Sequence, residues 1–349
     1  MTAPLRTGAE LAAAGLVAPD RAVDVDAVAA RYAVSLSAAV AGLIDPADPA
    51  DPIARQFIPS VAELDSAPDE LADPIGDGAH EAVPGIVHRY PDRVLLKLLH
   101  VCPVYCRFCF RREAVGPQGE THLSPAALDA ALAYVAARPA IWEVILTGGD
   151  PLALSPRRLA DVMGRLAAIP HVKVLRVHTR VPVVAPERIT AELAATLCKA
   201  GKTVFVAVHA NHPRELTVAA RAACDRLFAA GIGLVSQSVL LRGVNDEVAT
   251  LEALMRAFVE ARIKPYYLHQ LDFARGTSHF RVPLAEGRAL MQGLAARVSG
   301  LCLPRYVVDL PGGHGKVSVL PDHALLDEEG RITALADARG GRHAYPPKP

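Results

Sequence analysis

From residue 93 onward, short apolar runs rich in β-branched residues alternate with longer segments of helical period. The runs cover residues 94–99, 141–146, 172–178, 204–209, 232–239 and 263–268. Runs of this length and composition predict buried strands. Between them, Ser124-Pro125 and Ser155-Pro156 each read as an N-cap serine followed by proline at the first helical position. Further helices are predicted over 187–200, 215–230 and 247–261, with Gly201 and Gly231 standing where C-terminal glycines belong. Six such βα units predict a parallel sheet, either open and doubly wound or curled into a barrel. In both architectures ligands gather at the carboxyl ends of the strands.

The remainder is less regular. Residues 1–92 predict an N-terminal region of short helices leading into the first strand, with an amphipathic helix over 11–19 between Glu10 and Asp20. The segment 45–52, Asp-Pro-Ala-Asp-Pro-Ala-Asp-Pro, is too proline-dense for a helix or central strand and predicts solvated turns. Residues 93–300 form the alternating unit, and 301–349 an extension with one more apolar strand near Val307 and a loosely ordered tail after about Glu328.

Composition narrows the function classes. Hydrophobic residues make up 51% of 349, enough for a large core, and Lys+Arg balances Asp+Glu at 37 each. That balance gives no basic surface for nucleic acid. No apolar run approaches the ~18–20 residues of a membrane span, and the N-terminus lacks the pattern of a signal peptide. A cytoplasmic protein is expected. Of six cysteines, Cys102, Cys106 and Cys109 sit within eight positions, whereas Cys198, Cys224 and Cys302 are scattered and read as small core residues.

The cluster is Cys102-Pro-Val-Tyr-Cys106-Arg-Phe-Cys109, placed just after the first barrel strand. Three thiolates on one loop can ligate three corners of a cubane cluster and leave the fourth iron open to substrate. Zinc is the competing reading, but a structural zinc site takes four ligands and no further Cys/His pair lies near. The spacing, with an aromatic residue before the last cysteine, resembles the signature of the radical S-adenosylmethionine superfamily. The longer run through Phe110-Arg111-Arg112 resembles its lysine 2,3-aminomutase branch, and the likeness extends from about Asp45 to Asp322. The resemblance implies an α/β fold, a partial (β/α)6 TIM-type barrel with an N-terminal helical region and a C-terminal extension. It also implies a 4Fe-4S cluster on the three cysteines, S-adenosylmethionine on the open iron and a 5′-deoxyadenosyl radical. An external electron donor of flavodoxin or ferredoxin type would supply the electron.

Other motifs fall at strand ends. In Leu146-Thr-Gly148-Gly149-Asp150, two glycines allow close backbone approach to a ligand, and Asp150 can accept from an ammonium. The resemblance makes this the loop for the amino group of S-adenosylmethionine, with His209 and Gln237 lining the same pocket and His212 at a helix entry. In Pro311-Gly312-Gly313-His314-Gly315-Lys316 a phosphate-binding P-loop fails, since Leu310 stands where its first glycine belongs and Val317 follows the lysine. The segment resembles the aminomutase glycine run whose lysine carries pyridoxal phosphate. Lysine forms Schiff bases once partly desolvated. His314 departs from the family glycine, which matters if the position needs a positive φ. Arg89, Tyr90 and Arg93 match family positions near the pyridoxal, and arginine suits its phosphate.

By the same resemblance Arg111 receives the substrate carboxylate, and Asp272 and Asp309 clamp a lysine ε-ammonium. Two carboxylates without a cation repel, and one tends to protonate. A glutamate side chain placed there would meet two like charges. L-Lysine therefore fits best, with conversion to β-lysine by a 2,3-amino shift. Arginine or ornithine would also present a cation, and β-lysine formation for elongation factor P is an alternative route. The family's zinc site needs cysteines that Glu247 and the cysteine-free chain after Cys302 do not supply. No zinc is expected, and the family's homo-oligomer arrangement loses that support. A different class, a non-catalytic iron-sulfur redox sensor, would have no use for Lys316, Asp272 or Asp309.

Overall fold

The computed structural model describes residues 3–118, 120–320, 322–328 and 331–344, so the last five positions of the expected tail lie outside it. Four short helices open the chain: α1 (Gly8–Ala13), α2 (Ala22–Ala29), α3 (Ala38–Ala41) and α4 (Pro52–Phe57). The helix expected over 11–19 instead starts earlier, on a Thr7/Glu10 capping box, and stops where Gly15 turns the chain at φ 70°. In the proline-rich segment residues 45–50 form exposed turns as expected, but its end departs from the expectation. Asp51 is fully buried and caps α4, accepting from the backbone of Ile53 and Ala54 while pairing with Arg214 at 2.6 Å. Asp-Pro is a helix start here, because proline at the first helical position has no N–H to lose.

Two strands, β1 (Glu81–Val83) and β2 (Ile86–Tyr90), pair antiparallel ahead of β3 (Arg93–Leu99), so the sheet begins before the first predicted strand. The barrel then runs through α5 (Pro125–Ala136), β4 (Glu143–Gly148), α6 (Pro156–Ala167), β5 (Val174–Thr179), α7 (Val181–Val184) and α8 (Ala191–Cys198). It continues with β6 (Thr203–His209), α9 (Val218–Ala229), β7 (Gly233–Val239), α10 (Val248–Glu260), β8 (Lys264–His269) and α11 (Leu284–Ala295). Next come β9 (Arg305–Leu310), parallel to β8, and β10 (Gly315–Ser318), antiparallel to β9. Ser124 and Ser155 cap α5 and α6 as the sequence suggests, and Gly201 and Gly231 take positive φ. The helix read over 187–200 starts later, capped by Thr190, because Pro186–Arg188 forms a separate 3-10 turn.

The ten strands lie in sequence order, with β3 to β9 parallel. A doubly wound sheet reverses strand order at a switch point, and this one never does. Right-handed crossovers of constant direction put every helix on one face, so the sheet curls into a partial barrel with its helices outside. Outward residues such as Val144, Leu146, Leu175 and Val177 are fully buried in one core with Leu159, Leu254 and Phe258 of the helices. The alternate, inward residues include Thr147, Arg176, His178, His209, Gln237 and His269, and they face a cavity. The tail expected to be loose holds a small antiparallel sheet of β11 (Ala324–Leu326), β12 (Ile332–Ala336) and β13 (Arg342–Ala344).

Candidate active site

The cavity within the barrel measures about 500 Å³. Cys102, Cys106 and Cys109 stand at the carboxyl ends of the strands, Arg93, Arg176 and Tyr266 toward the opposite end, and Lys316, Asp309, Asp272 and His269 also line it.

The cysteine loop is held from behind by buried ion pairs. The Glu63 carboxylate, fully buried, accepts from Arg107 Nε at 3.0 Å and Nη2 at 2.7 Å, and also from Arg112. Burial alone would push the Glu63 pKa up, but Arg107 and Arg112 outweigh it and hold the group below its usual range. Arg112 also lies over the Tyr32 ring at 3.7 Å and donates to the Gly276 carbonyl at 3.0 Å. In front, the two glycines after β4 clamp the loop. A Cβ on Gly148 would sit 2.4 Å from the Leu99 carbonyl oxygen, and one on Gly149 2.2 Å from that of Val101. Gly148 takes φ 113°. Their smallness thus serves a close approach of backbone to backbone, where the sequence suggested backbone to ligand.

Burial pushes the Cys102 thiol well up and the Cys109 thiol to about 11, so neither is a free reactive thiolate. A metal reverses that by displacing the proton outright. Among the described residues no three Cys, His, Asp or Glu side chains gather tightly enough for a single ion. Three soft sulfur donors on one loop, beside a cavity, fit an iron-sulfur cluster.

Asp150 lines the cavity and is also engaged by the protein itself. Its oxygens already accept from Leu152 N at 3.0 Å, Thr179 Oγ1 at 2.7 Å and Arg180 N at 2.7 Å, which ties β4 to β5. It caps a loop in addition to lining the cavity. His209 and Gln237 pair across β6 and β7. His209 Nε2 is buried without a hydrogen-bond partner, and burial holds the ring well below its usual pKa, hence neutral. An orphaned polar atom in the cavity wall is what a bound polar ligand would satisfy. His212 caps the short turn Pro213–Glu215.

Lys316 emerges from a tight glycine loop. Its amine donates to Asp309 Oδ1 at 2.7 Å, and its backbone N–H donates to the Tyr90 hydroxyl at 2.8 Å. Gly315 is required, since a Cβ there would meet that hydroxyl at 2.8 Å. Gly312, Gly313 and Gly315 all take positive φ, whereas His314 sits at φ −73°, so histidine there is unstrained. Arg89 donates to the Ile75 carbonyl and lies 3.7 Å from Asp309, with its Nε buried and unpartnered. Arg93 pairs with Asp92 at 2.6 Å and stacks on Tyr90, its guanidinium carbon 3.8 Å from the ring centroid. An amine, a phenol and two guanidiniums around one cavity fit a phosphorylated aldehyde.

The charged positions read for substrate divide. Arg111 is engaged by a carboxylate that sequence reasoning missed: Asp77 accepts from its Nε and Nη2, both at 2.8 Å, while Nη1 reaches Thr147 at 3.1 Å. Asp77 also lies 3.4 Å from Arg89, so one acid joins both arginines. Asp309 would be raised by burial, but His269 at 3.6 Å and the Lys316 ammonium leave it well below the usual carboxylate range. Asp272 goes the other way, pushed up to about 8 by burial and then by the Asp309 charge.

Asp77 and Glu63 left no signal in the sequence because their partners lie far along the chain. His178, Arg180 and His269 could have been found by listing every residue at a strand's carboxyl end.

Comparison with known proteins places this geometry. The Radical SAM superfamily model matches residues 96–254, which hold the cysteine loop and the strand ends around the cavity. The barrel and its site thus define a radical S-adenosylmethionine enzyme. L-Lysine 2,3-aminomutase of Clostridium subterminale is 42% identical over 290 residues, 83% of this chain and 69% of the relative. Glutamate 2,3-aminomutase of Clostridioides difficile is 36% identical, covering 89% and 75%. Among solved structures, a radical SAM methyltransferase from Sphaerobacter thermophilus aligns at 20% identity with a TM-score of 0.43, over 64% of this chain and 68% of that one. The chain belongs to the lysine 2,3-aminomutase family and is an isomerase. No helix among the described residues is long and apolar enough to cross a membrane.

Proposed function

We propose that the protein is a cytoplasmic aminomutase that moves the α-amino group of L-lysine to the β-carbon. The observation that carries this reading is that two carboxylates, Asp272 and Asp309, line the same cavity as Arg111 and Lys316. A distal ammonium relieves the repulsion between them, whereas the side chain of glutamate adds a third negative charge. Cys102, Cys106 and Cys109 would hold a 4Fe-4S cluster, Gly148, Gly149, Asp150, His209 and Gln237 would surround S-adenosylmethionine, and Lys316 would carry pyridoxal phosphate. When bound, the cluster with S-adenosylmethionine supplies hydrogen-atom abstraction, and the pyridoxal aldehyde supplies the carbonyl that carries the migrating nitrogen. Arg111 would orient the substrate carboxylate, kept in place by Asp77 and Thr147. Asp272 and Asp309 would fix the far end, so that the β-carbon rather than another carbon is presented. Arg89, Tyr90 and Arg93 would hold the cofactor's face and phosphate.

The test is anaerobic reconstitution with iron, sulfide, pyridoxal phosphate, S-adenosylmethionine and a reductant, with L-lysine, L-arginine, L-ornithine and L-glutamate supplied in parallel. β-Lysine as the main product is expected. An amino shift on L-glutamate, or 5′-deoxyadenosine formed without any shift, overturns the assignment.

A further inference from the structure

One buried cation touches the cysteine loop directly. Arg180 follows β5, is 5% exposed, and donates from Nη1 to Cys106 Sγ at 2.9 Å. Among the described residues no other side chain donates to any of the three thiols. Its second terminal nitrogen donates to Glu215 Oε2 and Gln56 Oε1, both at 2.6 Å. Glu215 is itself fixed by the backbone of Asn211 at 2.8 Å and His212 at 3.0 Å, and Arg180 is clasped by Phe57, 4.5 Å from its guanidinium. Asp150 holds the Arg180 backbone N–H at 2.7 Å. Both terminal nitrogens are therefore engaged, while Nε is buried without a hydrogen-bond partner. A full desolvated charge held this firmly against one ligand sulfur is far more than packing needs.

We infer that Arg180 is a positioning residue that sets the reduction potential of the iron-sulfur cluster, by keeping its guanidinium N–H on Cys106 sulfur, with Glu215 as the counter-charge that limits the effect. The inference rests on the cluster reading above. Reduction adds one electron to the cluster from an external one-electron donor of flavodoxin or ferredoxin class, with no bond made or broken at Arg180. The added negative charge spreads onto the sulfurs, so a cation and N–H donor in contact favours the reduced form. Glu215 lies on the far side of the same guanidinium, one group further away. It opposes the cation without cancelling it.

The two charges therefore act with opposite sign, which a purely structural role does not reproduce. The experiment is a potentiometric titration of the reconstituted protein, followed by electron paramagnetic resonance of the reduced cluster, on wild type, R180Q, R180K and E215Q. R180Q is expected to lower the reduced-to-oxidised ratio at fixed potential at least tenfold, about 59 mV for a one-electron couple. R180K should recover most of that loss, and E215Q should move the midpoint in the positive direction. Equal midpoints in wild type, R180Q and E215Q, or a negative shift in E215Q, overturn the inference. If R180Q fails to fold, E215Q decides by its sign, a positive shift supporting the inference and no shift or a negative one overturning it. A wild-type protein that takes up neither iron nor sulfide sinks the cluster reading instead, and the iron and sulfide content of each sample separates the two failures.

Discussion

At the scale of single residues, the cavity holds two carboxylates of opposite behaviour. Asp272 is neutral near pH 7 without substrate, while Asp309 stays ionised against Lys316 and His269. The raised group binds a proton in the folded protein that the unfolded chain has already lost. Its favourable contribution is complete below the unfolded carboxylate pKa and disappears as pH rises through about 8. Asp272→Asn should therefore stabilise the unliganded protein progressively from about pH 4 to pH 8, by at most about 1.4 kcal/mol per pH unit, and level off above. Thermal unfolding of both proteins across that range checks it; a gain that shrinks with rising pH contradicts the assignment. Asp309→Ala should raise the KM for L-lysine at least tenfold, about 1.4 kcal/mol, by removing the ionised half of the clamp. Pyridoxal absorbance serves as the control, and an unchanged KM removes Asp309 from the clamp.

At the scale of elements, the legible features were those whose cause is local. The Ser-Pro caps, the C-terminal glycines and the cysteine spacing each act within a few residues, so sequence alone displays them. The unreadable ones depend on partners brought in by the fold. Asp51 looked like one of several solvated aspartates, yet it alone is buried, because Arg214 and the start of α4 converge on it. Gly148 and Gly149 stood out in the sequence, but their close approach to the Leu99 and Val101 carbonyls was not legible there. This yields a paired prediction. Gly149→Ala forces a Cβ to 2.2 Å from the Val101 carbonyl oxygen, so it should destabilise the protein by about 1–3 kcal/mol and reduce iron uptake. Gly164→Ala, in the exposed middle of α6 with nothing within 4 Å, should stabilise by about 1 kcal/mol. Denaturant titrations of the two variants check both signs.

At the scale of the molecule, the sheet is an open barrel whose parallel βα units were visible in the alternation of runs, whereas its strand order and its flanks were not. β1 and β2 lengthen one edge, and β10 brings Lys316 to the other. The small sheet of β11 to β13 pairs only within itself. A chain ending at Leu320, where Arg288 still holds the Val319 and Leu320 carbonyls, should keep its unfolding midpoint within about 4 °C of the full chain. Calorimetry of the truncated protein tests this; a larger fall makes the tail part of the barrel's support.

The two flanks also meet. Gly76 packs against the backbone of Gly312 and Gly313, and the His80 ring reaches the Gly313 carbonyl at 3.0 Å. The cysteine loop is thus made some two hundred residues before Lys316. The N-terminal flank waits throughout that interval for the glycine loop that covers it, so the surroundings of Lys316 are complete only once both ends of the sheet have been synthesised and have met.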